Sequence, residues 1–451
     1  MKKYAAIISD IEQRIAEGQY RPGQKLASVR DAANRYACST STVIRAYAEL
    51  EKRHAIYAIA QSGFYVVQMA AEPQPGRSGI IDFSSSSPDS GIFPYLDFQH
   101  CLNQAIDTYK EQLFTYGELE GLHRLRHTLA SHLTNDQIFV NAKRIVVTAG
   151  IQEALEIVAK MTFPNGHAVI LVEQPSYGHY LRYLEAEGVP VRGIARTADG
   201  VDLNELEEIF KSGGIKFFYT MPRHHNPIGT SYGAEERKAI AGLASRYNVY
   251  IIEDDYMADL DEGAGYAPIY ADNLTSHVIY LKSFSKIIFP GLRLGAAVLP
   301  ETLLKPFLAH KRYNTSLLSQ AALDVYITNG MYERHKSKIR RQYAARIHAL
   351  NEAVAKLDEA GILRTPCVDS GIYMQFKLPP TINLDRLLRQ LADRSVQAVA
   401  GNKYYLTNWL KREKFLRIST IRVKPEQIEE GVKAIVEEAG RMRGSWRGGR
   451  P

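Results

Sequence analysis

Five turns in the long second part of the chain each follow an apolar run, and each carries a side chain able to do chemistry. Lys286 closes Lys282-Ser283-Phe284-Ser285-Lys286, directly after the run 277–281. An amine held among strand ends can form a Schiff base with a carbonyl, although a lysine in this position could equally be a surface charge. Asp254 stands in Glu253-Asp254-Asp255-Tyr256, where the run 248–253 ends. Three successive carboxylates are costly to crowd together unless a metal, a bound pyridinium or an exit to solvent relieves the charge. Gly150-Ile151-Gln152 lies between the run 144–149 and a helix expected over 153–161. A glycine turn opening a helix offers free amides and the positive end of a dipole, which suit a phosphate. Gln174-Pro175-Ser176-Tyr177 brings an aromatic ring to the end of the run 168–173, a position that simple packing also explains. The run 215–220 leads into Arg223-His224-His225-Asn226-Pro227-Ile228-Gly229, a polar turn bearing an amide, and Arg293 follows Lys286 by seven residues. Adjacent histidines rarely aim at one ion and no third ligand is spaced for His224 and His225, so no metal is expected.

These turns meet only if the runs are strands of one sheet. Apolar β runs at 144–149, 168–173, 215–220, 248–253, 277–281 and 294–299 alternate with helical stretches, the pattern of an α/β fold with a mainly parallel sheet. Ligands in such sheets sit beyond the carboxyl ends of the strands, where all five turns lie. Lysine, carboxylate, phosphate turn, aromatic ring and amide are together what pyridoxal 5'-phosphate requires, the lysine to bind its aldehyde and the carboxylate to keep its ring nitrogen protonated.

Ser283-Phe284-Ser285-Lys286 with the trailing Gly291-Leu292-Arg293-Leu294-Gly295 resembles the fold-type I aminotransferases, and the likeness extends over residues 80–440. It implies a mainly parallel seven-stranded sheet with a small α+β C-terminal subdomain over about 331–440. It also implies Lys286 as the catalytic Schiff-base lysine, Asp254 on the pyridine nitrogen, Tyr256 and Asn226 on the ring hydroxyl, and Tyr177 stacked on the ring. Gly150, the amides of Ile151 and Gln152, and Ser283, Ser285 and Arg293 would surround the phosphate. Tyr116, in Tyr116-Gly117-Glu118-Leu119-Glu120-Gly121, resembles the tyrosine that reaches the phosphate of a neighbouring subunit, which implies a homodimer with shared sites. Arg417, in Leu416-Arg417-Ile418-Ser419, resembles the arginine that grips a substrate carboxylate in a bidentate pair, with a surface ion pair as the alternative.

Residues 1–68 follow another pattern. Ile8, Ile11 and Ile15 have helical spacing, ended by Gly18 before Arg21-Pro22-Gly23, and a second helix fits 28–36. A third follows Ser39-Thr40-Ser41-Thr42, whose hydroxyls can cap its free amides, with Val43, Tyr47 and Leu50 inward and Thr42, Arg45 and Glu49 outward. Two β-like runs, 55–60 and 64–68, joined by Gln61-Ser62-Gly63, complete a winged helix-turn-helix. In such a module the third helix enters the major groove of DNA. A helical cap on an enzyme would show the same elements. Segments 22–36, 39–53 and 62–67 resemble the GntR-type DNA-binding domain. That likeness implies contacts to phosphates and bases by Arg30, Ser39, Ser41, Thr42 and Arg45, with Gly63 at the wing tip. Thr40, Ala27 and His54 stand where that family usually has arginine, proline and glycine. Losing the arginine removes one charged contact and implies weaker or differently specified binding.

Composition sets the outer limits. The 451 residues are 45% hydrophobic and 23% charged, which excludes a disordered, collagen-like or coiled-coil protein. No apolar run reaches the roughly 18 residues that cross a bilayer. Charges also interrupt the start too closely for a signal peptide, so a cytoplasmic protein with no membrane partner is expected. Cys38, Cys101 and Cys367 lie far apart, without the spacing of a disulfide framework or zinc site. The net charge of +7 is uneven: residues 1–68 hold ten Lys/Arg against six Asp/Glu, 69–440 hold 42 against 43, and 441–451 hold four arginines and no acid. A basic head on a near-neutral body suggests that a polyanion meets the head. Prolines and glycines mark 69–80 as a linker, leaving 81–440 as the body and 441–451 as a basic tail, either solvated or touching DNA or a partner.

A GntR-type head on an aminotransferase-like body is the arrangement of the MocR subfamily of bacterial transcription regulators, which the chain resembles end to end. The resemblance implies a head-to-tail homodimer that binds double-stranded DNA at paired half-sites and is nucleoid-associated when bound. It also implies an amino acid or amine effector, sensed by aldimine exchange at Lys286 while Arg417 holds its carboxylate. An active aminotransferase with an appended DNA-binding domain fits the same residues, and a cofactor-free dimerisation scaffold is a third reading.

Overall fold

Isoleucines at helical spacing give the N-terminal helix one apolar face, and the first core forms against it. The computed structural model describes residues 3–21, 23–53, 55–59, 62–67, 79–261, 266–272, 277–312 and 314–447, and the chain divides into two compact units, 1–79 and 80–451. In the first unit α1 (Lys3–Ala16), α2 (Val29–Arg35) and α3 (Thr40–Lys52) bury Ile7, Ile11, Val43, Tyr47 and Leu50 around Leu26. Ser28 Oγ accepts the amide of Asp31 and Ser39 Oγ that of Thr42, each satisfying a donor that the first helical turn leaves free. β1 (Ile56–Ile59) and β2 (Gly63–Val66) pair antiparallel with Ile56 opposite Val66, forming the expected hairpin. Gly63 has a φ of +128°, a conformation that favours glycine. Pro22, His54, the hairpin positions Ala60, Gln61 and Gln68, residues 69–78 of the expected linker and 448–451 of the expected tail lie outside the described residues.

The second unit opens with β3 (Ile81–Asp82), followed by the strands of one eight-stranded sheet. These are β4 (Ile145–Thr148), β5 (Val169–Gln174), β6 (Val191–Thr197), β7 (Gly200–Val201), β8 (Ile215–Thr220), β9 (Tyr250–Asp254), β10 (Val278–Ser283) and β11 (Gly295–Val298). Their order across the sheet is β4-β11-β10-β9-β8-β5-β6-β7. The four central pairings, from β6 through β5, β8 and β9 to β10, are parallel, whereas β11 and β7 run antiparallel to their neighbours. The sheet thus has one strand more than expected, because the two-residue β7 folds back on β6. Every residue of β8 and β9 is buried, as continuous apolar runs require when both faces of a sheet are covered. β6 shows no such run because Arg192 and Arg196 interrupt it near the sheet edge.

Toward the C-terminus come β12 (Tyr373–Lys377), β13 (Val396–Gln397), β14 (Val399–Ala400) and β15 (Phe415–Ser419). β12, β15 and β14 form an antiparallel sheet in that order, and β13 pairs in parallel with β3. Helices Met331–Leu357, Leu384–Asp393 and Pro425–Arg447 accompany these strands around a second core of Met374, Phe376, Leu416, Ile418 and Ile435. The last helix runs past position 440, where the body was expected to give way to a basic tail. Its buried face, Ile428, Val432, Ile435 and Ala439, continues to Met442 in the same cluster, so the helix runs on through Arg447. Among the described residues no helix is long and apolar enough to cross a membrane.

Leu50 is fully buried in the first unit's core. Leu50→Ala should destabilise that unit by about 3 kcal/mol through lost burial and a residual cavity. Calorimetry should show its transition moving down while that of the second unit stays in place, and a joint shift would contradict independent cores.

Candidate functional site

The turns after β4, β5, β8, β9 and β10 converge on one cavity of about 290 Å³. Gly150, Ile151, Gln152, Tyr177, Asn226, Asp254, Tyr256, Ser283, Ser285, Lys286 and Arg293 line it. Gly150 has a φ of +87°, and a Cβ there would lie 3.2 Å from the guanidinium of Arg293. Arg293 Nη2 donates to the carbonyl of Ala149 at 2.8 Å. The glycine thereby brings an arginine close to the first amides of the helix Ile151–Lys160, an arrangement suited to a phosphate. Gln152 Nε2 donates to the Tyr177 hydroxyl at 2.8 Å, fixing the ring at the cavity wall. Lys286 Nζ donates to the backbone oxygen of Ser86.

The acidic triplet separates by strand alternation. Glu253 accepts the amides of Ile269 and Tyr270 at 2.9 and 2.8 Å. Asp255 accepts Arg223 Nε at 2.9 Å and the Tyr280 hydroxyl at 2.9 Å. Asp254 alone lines the cavity. Its Oδ2 accepts the Tyr219 hydroxyl at 2.8 Å, while its buried Oδ1 has no protein partner. Burial pushes Asp254 up to about 7, with the Asp255 carboxylate adding to the shift and the Tyr219 hydrogen bond opposing it. A protonated ring nitrogen would supply both the missing donor and the missing positive charge. The buried Oδ1 of Asn226 also lacks a donor, and the Tyr256 hydroxyl donates to the carbonyl of His224 at 2.8 Å. The residues present therefore fit pyridoxal 5'-phosphate: a lysine, an orphaned carboxylate oxygen, an orphaned amide oxygen, an aromatic wall and an amide-lined phosphate position share one cavity.

Two expected residues stand apart from the lining. Tyr116 is 99% exposed and lies outside the cavity of its own chain. Arg417 is 3% exposed and sits one layer back, its guanidinium 4.7 Å from the centre of the Tyr373 ring, with Nη1 donating to Ser86 Oγ at 2.7 Å. The sequence reading missed Ser86, Ser87, His179, Met221, Pro290 and Tyr373 in the lining. The serine run 84–87 was a usable signal for the first two, whereas Tyr373 reaches the site from β12 with no motif to mark it. Although burial opposes it, Tyr373 is held below the ordinary phenol range by the charges of Lys286 and Arg417.

On the first unit, Arg30, Ser41 and Arg45 are exposed and Thr42 is half-buried at the start of α3. Ser39 spends its hydroxyl on the cap and on contacts with Ser41 Oγ and Thr42 Oγ1, both at 2.8 Å. The Arg45 guanidinium lies 4.5 Å from the centre of the Tyr4 ring, and Gly63 begins β2. Ile44, which the sequence reading passed over, is 55% exposed on the same helix.

Fold and cavity together define the second unit as an aminotransferase class I and II unit, and that family's pattern matches residues 80–435. The pattern of the bacterial regulatory proteins of the gntR family matches residues 3–66. The chain is 44% identical over 446 residues to the uncharacterized HTH-type transcriptional regulator YcxD of Bacillus subtilis strain 168, covering 97% of this chain and 99% of the relative. It is 28% identical to the HTH-type transcriptional regulator YdcR of Escherichia coli K12, covering 96% and 98%. Among solved structures, Pyrococcus horikoshii kynurenine aminotransferase, in complex with PMP, superposes with a TM-score of 0.75 at 26% identity, covering 81% of this chain and 92% of that one. The chain belongs to the GntR-type transcriptional regulators that carry an aminotransferase class I and II domain, the MocR architecture. Its cofactor is pyridoxal 5'-phosphate.

In the folded chain Asp254 keeps its proton to about pH 7, against an ordinary value of 3.8. The folded state therefore binds more protons than the unfolded state between those values, and this group's contribution to stability falls as pH rises through that window. Asp254→Asn should remove this group's share of the decline in the cofactor-free protein and leave the share of Glu253, which burial pushes up to about 8. Denaturant titrations at about pH 5 and about pH 8 would measure it, and an identical pH dependence in both proteins would contradict the assignment.

Proposed function

We propose that this protein regulates transcription by binding operator DNA through its first unit and an amino acid or related amine at the cofactor site of its second. The observation carrying this reading is one continuous chain holding both an exposed helix-turn-helix surface and a cavity whose lining fits pyridoxal phosphate, similar along its length to a protein named as an HTH-type transcriptional regulator. In this reading residues 1–68 bind DNA, 69–80 link the units, 81–440 hold cofactor and effector with a small subdomain over about 331–440, and the protein works in the cytoplasm, at the nucleoid when bound to DNA.

Arg30, Ser41, Thr42 and Arg45 meet phosphates and base edges, Ser39 orients the helix start as its cap, and Gly63 lets the wing approach the backbone. Lys286 anchors the cofactor, and Asp254 holds the proton at the pyridine nitrogen. Asn226 and Tyr256 serve the ring hydroxyl, and Tyr177 covers the ring. Gly150, Ile151, Gln152, Ser283, Ser285 and Arg293 hold the phosphate. When bound, the cofactor supplies an aldehyde carbon at which an amine is captured reversibly. Arg417 selects effectors bearing a carboxylate. The chain acts as a head-to-tail homodimer on paired half-sites. The full exposure of Tyr116 supports a role for it at the phosphate of a second subunit. The free energy of switching is the difference in effector affinity between two dimer arrangements. Retention of Lys286, Asp254 and Arg417 also supports a second reading, an active aminotransferase, which sustained keto acid release would reveal.

Lys286→Ala is expected to eliminate the absorbance of lysine-bound cofactor and the effect of effector on DNA affinity, while DNA binding without effector persists. Arg45→Ala should weaken DNA binding by about tenfold and flatten its salt dependence, with the cofactor absorbance unchanged. Absorbance and fluorescence-anisotropy titrations separate these effects. Loss of both functions in either variant would contradict the division of labour.

A further inference from the structure

A run of four serines, Ser84 to Ser87, begins four residues after the second unit starts at Ile80. The chain is pinned just before it. Ile81 N donates to Ser395 O at 2.8 Å, Phe83 N to Gln397 O at 2.9 Å, and Ser419 N to Phe83 O at 3.0 Å. Phe83 is fully buried, and a Cβ at Gly431 would collide with its ring. Beyond this anchor the strap is held in three ways, one of them the bond from Lys286 Nζ to Ser86 O. From within, Asp82 Oδ1 accepts the amides of Ser84 and Ser85 at 2.9 and 3.2 Å. From outside it is held by arginines. Arg417 donates from Nη1 to Ser86 Oγ at 2.7 Å and from Nη2 to Ser84 O, and Arg422 Nε donates to Ser87 O at 3.0 Å.

Arg417 is the cation that the proposed function assigns to the effector's carboxylate, and the present inference rests on that reading. Its remaining unpartnered nitrogen is the buried Nε. Every bidentate pair with a carboxylate uses at least one terminal nitrogen of the guanidinium, and Nη1 and Nη2 both donate to the strap, so a carboxylate competes with the strap for Arg417. A carboxylate oxygen is also a stronger acceptor than a serine hydroxyl or peptide carbonyl, which favours the exchange once a carboxylate arrives. Serine supplies only weak, neutral acceptors, as a ligand substitute must if it is to be displaced.

We infer that the serine strap is an internal stand-in for the effector's carboxylate on Arg417, and that an effector signals by displacing it. The response therefore requires a carboxylate. An amine without one can occupy the cofactor yet leaves the strap in place.

The test is hydrogen–deuterium exchange at the amides of 84–87 in the full-length, cofactor-loaded protein. The probes are propionate, a carboxylate without an amine, and ethylamine, an amine without a carboxylate, each against chloride at equal ionic strength. Propionate should raise exchange across the strap and ethylamine should not. Arg417→Gln should raise it by about tenfold without any probe and abolish the effect of propionate. Ser86→Ala, a milder change, should lower the propionate concentration needed by about threefold. Exchange that is indifferent to propionate at saturating concentration, or unchanged in Arg417→Gln, would overturn the inference. These readouts are independent of DNA, so a protein with a displaceable strap but no operator binding would sink the regulator reading and leave the strap intact.

Discussion

Three consecutive carboxylates end a strand whose every residue is buried, and each must find its own compensation. Strand alternation divides them between two faces. Glu253 takes two backbone amides of the segment 269–270, and Asp255 takes Arg223 and Tyr280. Those pairings fix the neighbouring loops, because Arg223 begins the turn that carries Asn226 into the cavity. Asp254 is left with one oxygen that no protein group satisfies. An uncompensated buried acid is costly, so the same arrangement that stabilises its neighbours leaves Asp254 waiting for a cationic partner. A protonated cofactor ring would meet that need, and the lysine, aromatic wall and helix amides around it follow from the parallel order of the strands.

Much of this site was legible before any coordinates. Residues at the ends of parallel strands converge whatever the details of the helices between them, which is why the turns bearing Gly150, Asn226, the acidic triplet and Lys286 could be placed together from spacing, while the family resemblance singled out Asp254. The division of labour within the acidic triplet depends on information that a linear sequence lacks, namely which of its members have Arg223 or free amides within reach. Tyr373 and Ser86 escaped for a related reason. They come from segments about 90 and 200 residues from Lys286 in sequence, brought in by the pairing of β12 with β15 and of β3 with β13. Arg417 carried a motif but not its depth, and packing places it behind Ser86 and Tyr373. The eighth strand was invisible because two residues at a sheet edge carry no periodicity, and the last helix outran its expected end because Met442 prolongs an apolar face through an arginine-rich stretch.

The two units place unlike demands on one chain. The first needs a polar helix start and exposed basic groups over a small core, and the caps Ser28 and Ser39 serve that end with short side chains that leave the surface open. The second needs water excluded from a charged site, and it buries charged side chains against specific partners to do so. Joining them makes biochemical sense if occupancy of the dry site alters what the wet surface does. A regulator of this kind needs no turnover, only a ligand whose affinity differs between two arrangements of the same protein.

The most direct test of that account is titration of DNA from upstream of the protein's own gene with the full-length protein and with a version beginning at Ile80, each at two salt concentrations. The account predicts specific binding by the full-length protein, weakening steeply as salt rises, and none by the shortened version with its cofactor site intact. Equal binding by both versions would contradict it, since the DNA-binding surface would then lie in the second unit.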